Sequence, residues 1–435
     1  MNRTPLFSRI IIVVLLALAL AACFPATPPP DAPLAVEPLA EPTEPYPYPG
    51  PPREPVWTEE PEPTDLPTPT VPLLPTPLPT PVVTPVPVAE FPVIPVSQDS
   101  AEPFTVVYRE GNMLRAMDSD GANQRLLLDV STRLPLFLNS EGSWGAPSPD
   151  GNRLALVFST RDNAAKATGG KGDGWAEYSI YIFDIVAGDL QLLVSDGVEP
   201  VWSPDGTRIA YRGATSGLWV VGTKTNSAKE IYAVDQENGH FVADIDWAPD
   251  GTQLVFIDKV FRQSTTIMVV DAAGLEPAKV LVPSNYWNFF PQWSLDGKQI
   301  LYVSMGGKSS SSEYFYNLWI MNSDGAYQTQ LTHDMDVFEP PCWSPDGHWI
   351  VLAGPRGYEE PETSYYDLWL VSKTGTELKR LTVGKPSESA PTWSLDGAHI
   401  FFVVRAQNEI WALSLVNGEQ TKLPSEATID FIILP

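Results

Sequence analysis

The stretch Val201 to Tyr211 reads Val-Trp-Ser-Pro-Asp-Gly-Thr-Arg-Ile-Ala-Tyr, and it decides the fold. Its central box, Trp-Ser-Pro-Asp-Gly, returns with variation five more times at steps of 45 to 55 residues. One of the six copies, at 147–151, carries proline in place of the tryptophan. The other five keep Trp202 and Asp205, Trp247 and Asp250, Trp293 and Asp296, Trp343 and Asp346, and Trp393 and Asp396. A period of this length indicates a repeat architecture.

Every repeat follows the same order of elements. The box supplies a hairpin turn, because aspartate can bond nearby backbone and glycine can take a positive φ. A strand before the box (strand A) and an apolar strand after it, such as 208–211 (strand B), form the hairpin. Strand C follows a variable loop and is marked by pairs such as Leu218-Trp219, and strand D follows a second short turn. Four short antiparallel strands without a helical period predict a propeller blade.

The recurring tryptophan is interpreted as a wedge that buries a large apolar area between neighbouring blades. The box is therefore expected to be structural rather than catalytic. With its apolar strand and Leu-Trp strand, it resembles the TolB-type, WD-like β-propeller repeat, over residues 103–435. This resemblance implies a propeller fold, and similar blades occur in non-catalytic domains of prolyl-oligopeptidase-like peptidases. Residues 1–435 contain no Gly-x-Ser-x-Gly elbow, so we expect no hydrolase domain among them.

The two ends of the repeat region predict how the ring closes. Six boxes give six complete blades, whereas 104–128 supplies strands B, C and D without a strand A. A lone strand, 429–434, follows the sixth complete blade. Joining both ends in one blade removes two exposed sheet edges. The sequence thus predicts an all-β propeller of four-stranded blades, seven in number with a terminal clasp, with six as the alternative.

Residues 1–23 are typical of an export signal. Arg3 and Arg9 precede an apolar run, 10–22, that is shorter than the roughly 20 residues of a spanning helix. The run ends in Leu-Ala-Ala-Cys at 20–23, which resembles the bacterial lipoprotein lipobox. That resemblance implies lipidation of Cys23, with an ordinary secretory signal or an uncleaved anchor as alternatives. We expect an exported protein anchored by lipid to the bacterial cell membrane on its extracytoplasmic side.

Residues 24–98 are expected to form a disordered, proline-rich linker between the leader and the propeller. They contain 26 of the chain's 46 prolines, which remove backbone donors and favour an extended polyproline II chain. A spacer explains this composition, and a proline-rich ligand for a recognition module is the alternative.

The charge and the cysteine content of the chain limit which classes of function are expected. The formal net charge is −26, and most of the acid excess lies after residue 98, so binding to nucleic acid or to anionic lipid headgroups is disfavoured. The two cysteines, Cys23 and Cys342, do not predict an internal disulfide framework. Stability is therefore expected to come from the apolar core.

The irregular loops are the candidate binding regions. A–B and C–D turns are short, whereas the long segments belong to the D–A and B–C connections, which emerge together on one face. Tyrosine and tryptophan on a rigid scaffold are frequent anchors for partners. The candidate binding residues in these loops are Trp175, Tyr286, Trp287, Phe289, Tyr314, Phe315, Tyr316, Tyr358, Tyr365 and Tyr366.

Catalytic and metal-binding patterns are sparse in this sequence. Glu199, Asp244 and Glu339 are placed just before strand A and could line the mouth of a central channel, where they would suit a cation or an amine. The four histidines show no metal-ligand spacing, and there is no phosphate-cradling glycine loop. We therefore expect no catalytic residues, no metal and no cofactor.

These observations favour a surface-tethered, non-catalytic propeller. Its expected role is binding or envelope assembly, with a protein or an envelope polymer as partner. The alternative is a propeller enzyme, a hydrolase or lyase, with an acidic and possibly metal-dependent site at the channel mouth.

Overall fold

The computed structural model confirms a seven-bladed β-propeller. It describes residues 104–131, 137–138, 145–159, 178–213, 216–260, 265–305, 315–355, 366–383, 387–425 and 431–434. The leader, Cys23 and the linker lie outside these ranges. None of the described ranges holds a helix long and apolar enough to cross a membrane.

Each blade is an antiparallel sheet whose strands follow the predicted A to D order. Blades 1 to 3 contain β1 (Thr105–Glu110), β2 (Met113–Asp118) and β3 (Arg125–Asp129); β4 (Phe137–Leu138), β5 (Gly145–Pro147), β6 (Arg153–Ser159), β7 (Tyr178–Asp184) and β8 (Asp189–Ser195); and β9 (Gly197–Trp202), β10 (Arg208–Gly213), β11 (Leu218–Gly222) and β12 (Ala228–Tyr232). In blade 2, β4 and β5 both pair with β6, so two short pieces fill the place of strand A.

Blades 4 to 7 are more regular. Their strands are β13 (His240–Trp247), β14 (Gln253–Val260), β15 (Thr265–Asp271) and β16 (Lys279–Val282); β17 (Asn288–Trp293), β18 (Gln299–Ser304), β19 (Asn317–Asn322) and β20 (Thr329–Gln330); β21 (Cys342–Trp343), β22 (Trp349–Pro355), β23 (Tyr366–Ser372) and β24 (Leu378–Arg380); and β25 (Glu388–Trp393), β26 (His399–Val404), β27 (Glu409–Ser414) and β28 (Gln420–Lys422). A final strand, β29 (Phe431–Leu434), belongs to blade 1.

The terminal clasp is confirmed. Strand β29 pairs antiparallel with β1, so that Leu434 faces Thr105 and Phe431 faces Tyr108. On the other side of the seam, Phe401 of blade 7 makes edge contacts with Phe104 and Phe431, at centroid distances of 5.4 and 6.4 Å. The clasp supplies the strand A that the N-terminal sequence lacks, and it closes the sheet edge of β1.

The hydrophobic core lies between blades. Seven clusters of buried side chains occur in the described residues, and each joins two neighbouring blades. One example packs Leu301 and Val303 of blade 5 against Ile350 and Leu352 of blade 6. Each such buried aliphatic side chain contributes about 1.5–3 kcal/mol, so the ring is stabilised at its seams.

The box forms a closed hydrogen-bond network around its turn. In blade 3 the Ser203 hydroxyl donates to Asp205 Oδ1 at 2.6 Å, and the Thr207 N–H donates to the same oxygen at 3.0 Å. The Arg208 N–H in turn donates to Ser203 Oγ at 2.9 Å, while Gly206 takes a φ of +65°. The Ser203 hydroxyl, followed by the Thr207 N–H, lowers the pKa of Asp205 to about 2. The aspartate is thus engaged in holding the turn.

The box tryptophans bridge adjacent blades. Trp202 Nε1 donates to the Ala146 carbonyl at 3.1 Å and Trp247 Nε1 donates to the Val201 carbonyl at 3.0 Å. In each case the acceptor belongs to strand A of the preceding blade. The guanidinium of Arg208 lies 4.8 Å from the Trp247 ring centre and also donates to the Gly251 carbonyl at 2.8 Å. The guanidinium of Arg153 likewise lies 4.6 Å from the Trp202 ring centre, so each of these two boxes joins two blades through packing, a hydrogen bond and a cation–π contact.

Candidate binding surface on the loop-rich face

The two faces of the propeller differ in their connections. The A–B and C–D turns lie on one face, which we call the plain face, and the B–C and D–A connections lie on the other, the loop-rich face. Thr105 faces both Asp118 and Leu434, so β1 begins and β29 ends on the plain face.

An aromatic row crosses the loop-rich face of blades 5 and 6. It consists of Trp287, Phe289, Tyr316, Phe338 and Tyr366. Successive ring centres are separated by 6.1, 5.8, 5.0 and 6.2 Å, in that order, with tilted or edge-on geometry. Four of the rings are partly buried, and Phe338, the fourth in this order, is the most exposed at 50%. The row is a continuous aromatic surface built from the ends of four separate connections.

Buried hydrogen bonds hold the backbone beneath the first part of the row. Asn288 is fully buried and donates from Nδ2 to the Thr265 carbonyl at 2.7 Å. The Thr265 hydroxyl donates back to the Asn288 carbonyl at 2.6 Å, and the Thr265 N–H donates to the Tyr286 carbonyl at 3.2 Å. The segment carrying Trp287 and Phe289 is thus fixed to strand C of blade 4.

A second set of contacts holds the loop that carries Phe338. Asn317 Oδ1 accepts from the Met335 N–H at 3.1 Å and from the Thr332 hydroxyl at 3.3 Å. The Val337 N–H donates to the Tyr316 carbonyl at 2.9 Å. These anchors keep the aromatic row in one arrangement before any partner arrives, which lowers the ordering cost of binding.

Cations extend the aromatic row toward blade 4. The ammonium group of Lys259 lies 5.3 Å from the ring centre of Phe289 and 5.8 Å from that of Phe241. The guanidinium of Arg212 lies 5.5 Å from Phe241 on the side of blade 3. Cations and rings therefore alternate at this end, an arrangement stabilised by cation–π attraction.

The two acids predicted at the channel mouth of blades 3 and 4 lie inside strand A instead of before it. Glu199 and Asp244 occupy β-bulges, with φ values of +55° and +51°. Burial raises the pKa of both carboxyls. The Arg212 guanidinium opposes that shift at Glu199, to which it donates at 2.9 Å. Phe290 and Ala390 occupy the same bulge with positive φ in blades 5 and 7, so the conformation belongs to the repeat.

Two of the predicted acids bond to the next blade. Asp244 Oδ2 accepts from the Phe290 N–H at 2.9 Å, and Glu339 Oε2 accepts from the Ala390 N–H at 2.6 Å. Both donors are bulge residues of the following blade. Glu339 also forms an ion pair with Arg405. These bonds give the two carboxylates a cross-blade structural contact that the sequence did not predict.

Asp246 is a further acid of strand A in blade 4. Its Oδ2 accepts from the backbone N–H of Trp293, a box residue of blade 5, at 2.7 Å. Burial raises the pKa of Asp246 to about 7, against the opposing effect of the Trp293 and Trp247 N–H donors. Asp246 is therefore a group whose charge changes near neutral pH.

A histidine–aspartate pair lies on the same face between blades 3 and 4. His240 Nδ1 lies 2.7 Å from Asp258 Oδ1, and the Tyr232 hydroxyl donates to Asp258 Oδ2 at 2.7 Å. The contact at Nδ1 fixes the orientation of the imidazole and directs Nε2 away from Asp258. Sequence reasoning missed this pair because the two residues meet only through the register of β13 with β14.

The predicted binding residues divide into three groups. Trp287, Phe289, Tyr316 and Tyr366 come together in the aromatic row. Tyr286, 45% exposed, lies beside Trp287, and Phe315 lies beside Tyr316 in the chain. The remaining four lie outside the described residues: Trp175, Tyr314, Tyr358 and Tyr365. Phe338 was not predicted, although its position in a D–A connection next to Glu339 was a usable signal.

A metal centre does not emerge from the described part of the chain. Within it, no three or more histidine, cysteine, aspartate or glutamate side chains are grouped to hold a metal ion.

Solved structures share this fold at low sequence identity. An oligogalacturonate lyase in complex with manganese aligns with a TM-score of 0.53 at 17% identity, covering 74% of this chain and 85% of the lyase. An oligogalacturonate lyase from Vibrio parahaemolyticus gives 0.51 and 15%, over 74% and 86% of the two chains. TolB from Acinetobacter baumannii gives 0.46 and 18%, over 77% and 83%. No protein-family profile and no curated protein matches. At these identities the likeness shows the propeller fold and assigns no activity.

Proposed function

We propose that this protein is a non-catalytic binding module, exported and lipid-anchored through Cys23, that recognises a protein or envelope polymer through the aromatic row. The observation that carries the proposal is the continuity of the row across four connections. Aromatic anchors in a preorganised surface are the residues that most often dominate binding energy.

The test is capture of partners from cell-envelope fractions by a Trp287→Ala/Phe338→Ala double variant. Each truncation of a binding anchor costs about 1–2 kcal/mol or more, so we expect capture to weaken at least tenfold. A Leu275→Ala/Val416→Ala variant is the matched control, since both residues are exposed apolar side chains on C–D turns of the plain face. Equal capture by the folded row variant and the control contradicts the proposal.

The proposed anchor has a separate test. Cys23→Ser should abolish incorporation of labelled fatty acid and release the protein from the membrane fraction, because the acyl chains supply the membrane affinity. Membrane retention of the unlabelled variant contradicts lipid anchoring and leaves the binding proposal intact.

A second candidate, a hydrolase or lyase, is favoured by the His240–Asp258 pair. A carboxylate at Nδ1 is an arrangement that prepares an imidazole for general base catalysis at Nε2. The raised carboxyl pKa values of Glu199 and Asp244, in strand A of blades 3 and 4, are also typical of sites that transfer protons. This candidate predicts turnover of an envelope glycan or peptide that His240→Gln abolishes. Turnover that survives His240→Gln excludes the role of this pair.

A further inference from the structure

Three box tryptophans form the same neutral hydrogen bond to the preceding blade. Trp202, Trp247 and Trp393 donate from Nε1 to a backbone carbonyl at 3.1, 3.0 and 3.1 Å. The acceptor is in each case the residue that precedes the box of that blade, namely Ala146, Val201 and Cys342. An indole N–H and a backbone carbonyl do not titrate, so these bonds are independent of pH.

The seam between blades 4 and 5 is joined differently. The indole N–H of Trp293 is buried there and has no hydrogen-bond partner among the described residues. The backbone N–H of Trp293 donates instead to Asp246 Oδ2 at 2.7 Å. Asp246 precedes the box of blade 4, and it is the only carboxylic acid among the six residues that hold this position. The hydrogen bond of the box at this seam therefore ends on an ionisable side chain.

The seam between blades 5 and 6 is the neutral counterpart. In the part of the chain that the structure describes, the buried indole N–H of Trp343 also has no partner. Gln292, which precedes the box of blade 5, donates from Nε2 to the Pro341 carbonyl at 2.8 Å. A side chain before the box thus replaces the indole bond at both seams. The amide of Gln292 does not titrate, whereas the carboxyl of Asp246 does.

Asp246 forms no ion pair within the described ranges. Burial raises its pKa to about 7, and only the N–H groups of Trp293 and Trp247 oppose that shift. Strand β17 carries no charged residue. The charged residues on the other strands in contact with β13, and on β13 itself, neither bond to Asp246 nor contribute to the shift: Glu199, Arg208, Arg212, His240, Asp244, Asp258 and Lys259. Ionisation of Asp246 therefore destabilises this seam without creating an ion pair.

We infer that the seam between blades 4 and 5 is a pH-sensitive joint of the ring, closed while Asp246 is protonated and loosened when this carboxyl is charged. A neutral carboxyl still accepts the Trp293 N–H through its carbonyl oxygen and avoids the cost of a buried charge. Loosening the joint frees β17, which also carries Phe289 of the aromatic row. Ionisation of Asp246 is thereby linked to the order of the row. The inference concerns the ring and does not depend on the proposed function.

The test is hydrogen exchange of the full-length protein at pH 6 and pH 8, followed by mass spectrometry. Protection factors are used because they correct for the intrinsic pH dependence of exchange. A carboxyl with a pKa of about 7 in the closed joint and 3.8 in the open one favours opening about tenfold more at pH 8 than at pH 6. The protection factor of β17 should therefore fall about tenfold. This comparison needs no variant.

Two variants assign the effect to Asp246. Asp246→Asn keeps an acceptor oxygen for Trp293 and should abolish the fall in β17, while β9 and β25 keep the values of the unchanged protein. Asp244→Asn is the matched control, since Asp244 also accepts an N–H group of β17, and it should preserve the fall. Equal protection of β17 at both pH values, a fall that persists in Asp246→Asn, or an equal response of β9, β17 and β25 to that substitution overturns the inference. Because exchange is measured without a partner, none of these outcomes changes the proposed binding function.

Discussion

Replacing Leu434 by alanine should measure how much the terminal clasp stabilises the ring. Leu434 is 4% exposed, pairs with Thr105 and packs in the cluster shared by blades 1 and 2, next to Val107 and Leu154. Truncating a buried leucine to alanine costs about 2–5 kcal/mol, depending on how far the cavity collapses. Strand β29 pairs with only one strand, β1, so it can shift to fill part of the cavity. We therefore expect a cost in the lower half of that range, and a cost in the upper half would indicate that the neighbouring strands cannot move.

Urea unfolding, followed by tryptophan fluorescence, gives the free energy and its dependence on denaturant. The control is Leu275→Ala, an identical truncation at a side chain that is 81% exposed, and it should change stability by less than about 0.5 kcal/mol. Equal stability of the two variants would mean that the packing of the clasp strand does not stabilise the ring. Loss of the clasp should also produce association through the freed edge of β1, which size-exclusion chromatography would detect.

Three further predictions concern the seams and the acids. Trp247→Ala should lower the free energy of unfolding by about 3–5 kcal/mol, much more than Trp287→Ala in the aromatic row, because only Trp247 is buried between blades. Comparable losses of stability in urea unfolding would refute the role of Trp247 as a wedge. Asp205→Ala should cost about 1 kcal/mol at pH 7. Because the folded pKa of Asp205 is lowered to about 2, that difference should persist at pH 5 and shrink as the pH falls toward 2; a difference independent of pH would contradict the turn network. Asp246→Asn should raise the thermal midpoint at pH 8 and have less effect at pH 5. The folded pKa of about 7 lies above the unfolded value of 3.8, so the destabilisation by the carboxyl group grows as the pH rises between these two values and is complete above about 7. The opposite trend would show that the charge is stabilising.

The architecture could be predicted because its signals are local. The box places its turn through residues only two and five apart, as the contacts of Ser203 with Asp205 and Arg208 show. Counting strands at the two ends then predicted the clasp, since Phe104 begins a blade without strand A and Leu434 ends a strand without a blade. These predictions require only the residue types and their order in the sequence, and they do not require the register between strands.

The roles of the acids could not be predicted because they depend on register. Asp244 and Glu339 accept N–H groups that lie 46 and 51 residues further along the chain. The bulge in strand A turns those N–H groups toward the preceding blade, and no residue type marks the bulge: glutamate, aspartate, phenylalanine and alanine all occupy it. The sequence therefore located these acidic residues near strand A, but it did not identify the groups to which they bond.

The aromatic row was predicted only in part, because the contacts between its rings also depend on how separate segments meet in the fold. Aromatic loop residues on one face are visible in the sequence, but the order of rings requires contacts between separate connections. Phe338 shows this, because it meets Tyr316 and Tyr366 from a loop without other aromatic residues. Its neighbours Met335 and Val337 are buried, so only alternation along that loop, once its path is known, identifies Phe338 as exposed.

The most direct test of the central claim is photo-crosslinking in intact cells from position 338. A benzoylphenylalanine replacing Phe338 should form a crosslink to a partner outside the chain, either a protein or an envelope polymer. The same group replacing Leu275 on the plain face should not form that crosslink. Crosslinks of equal yield and identity from both positions, or none from position 338 in a folded, exported protein, would contradict the assignment of the aromatic row as the binding surface.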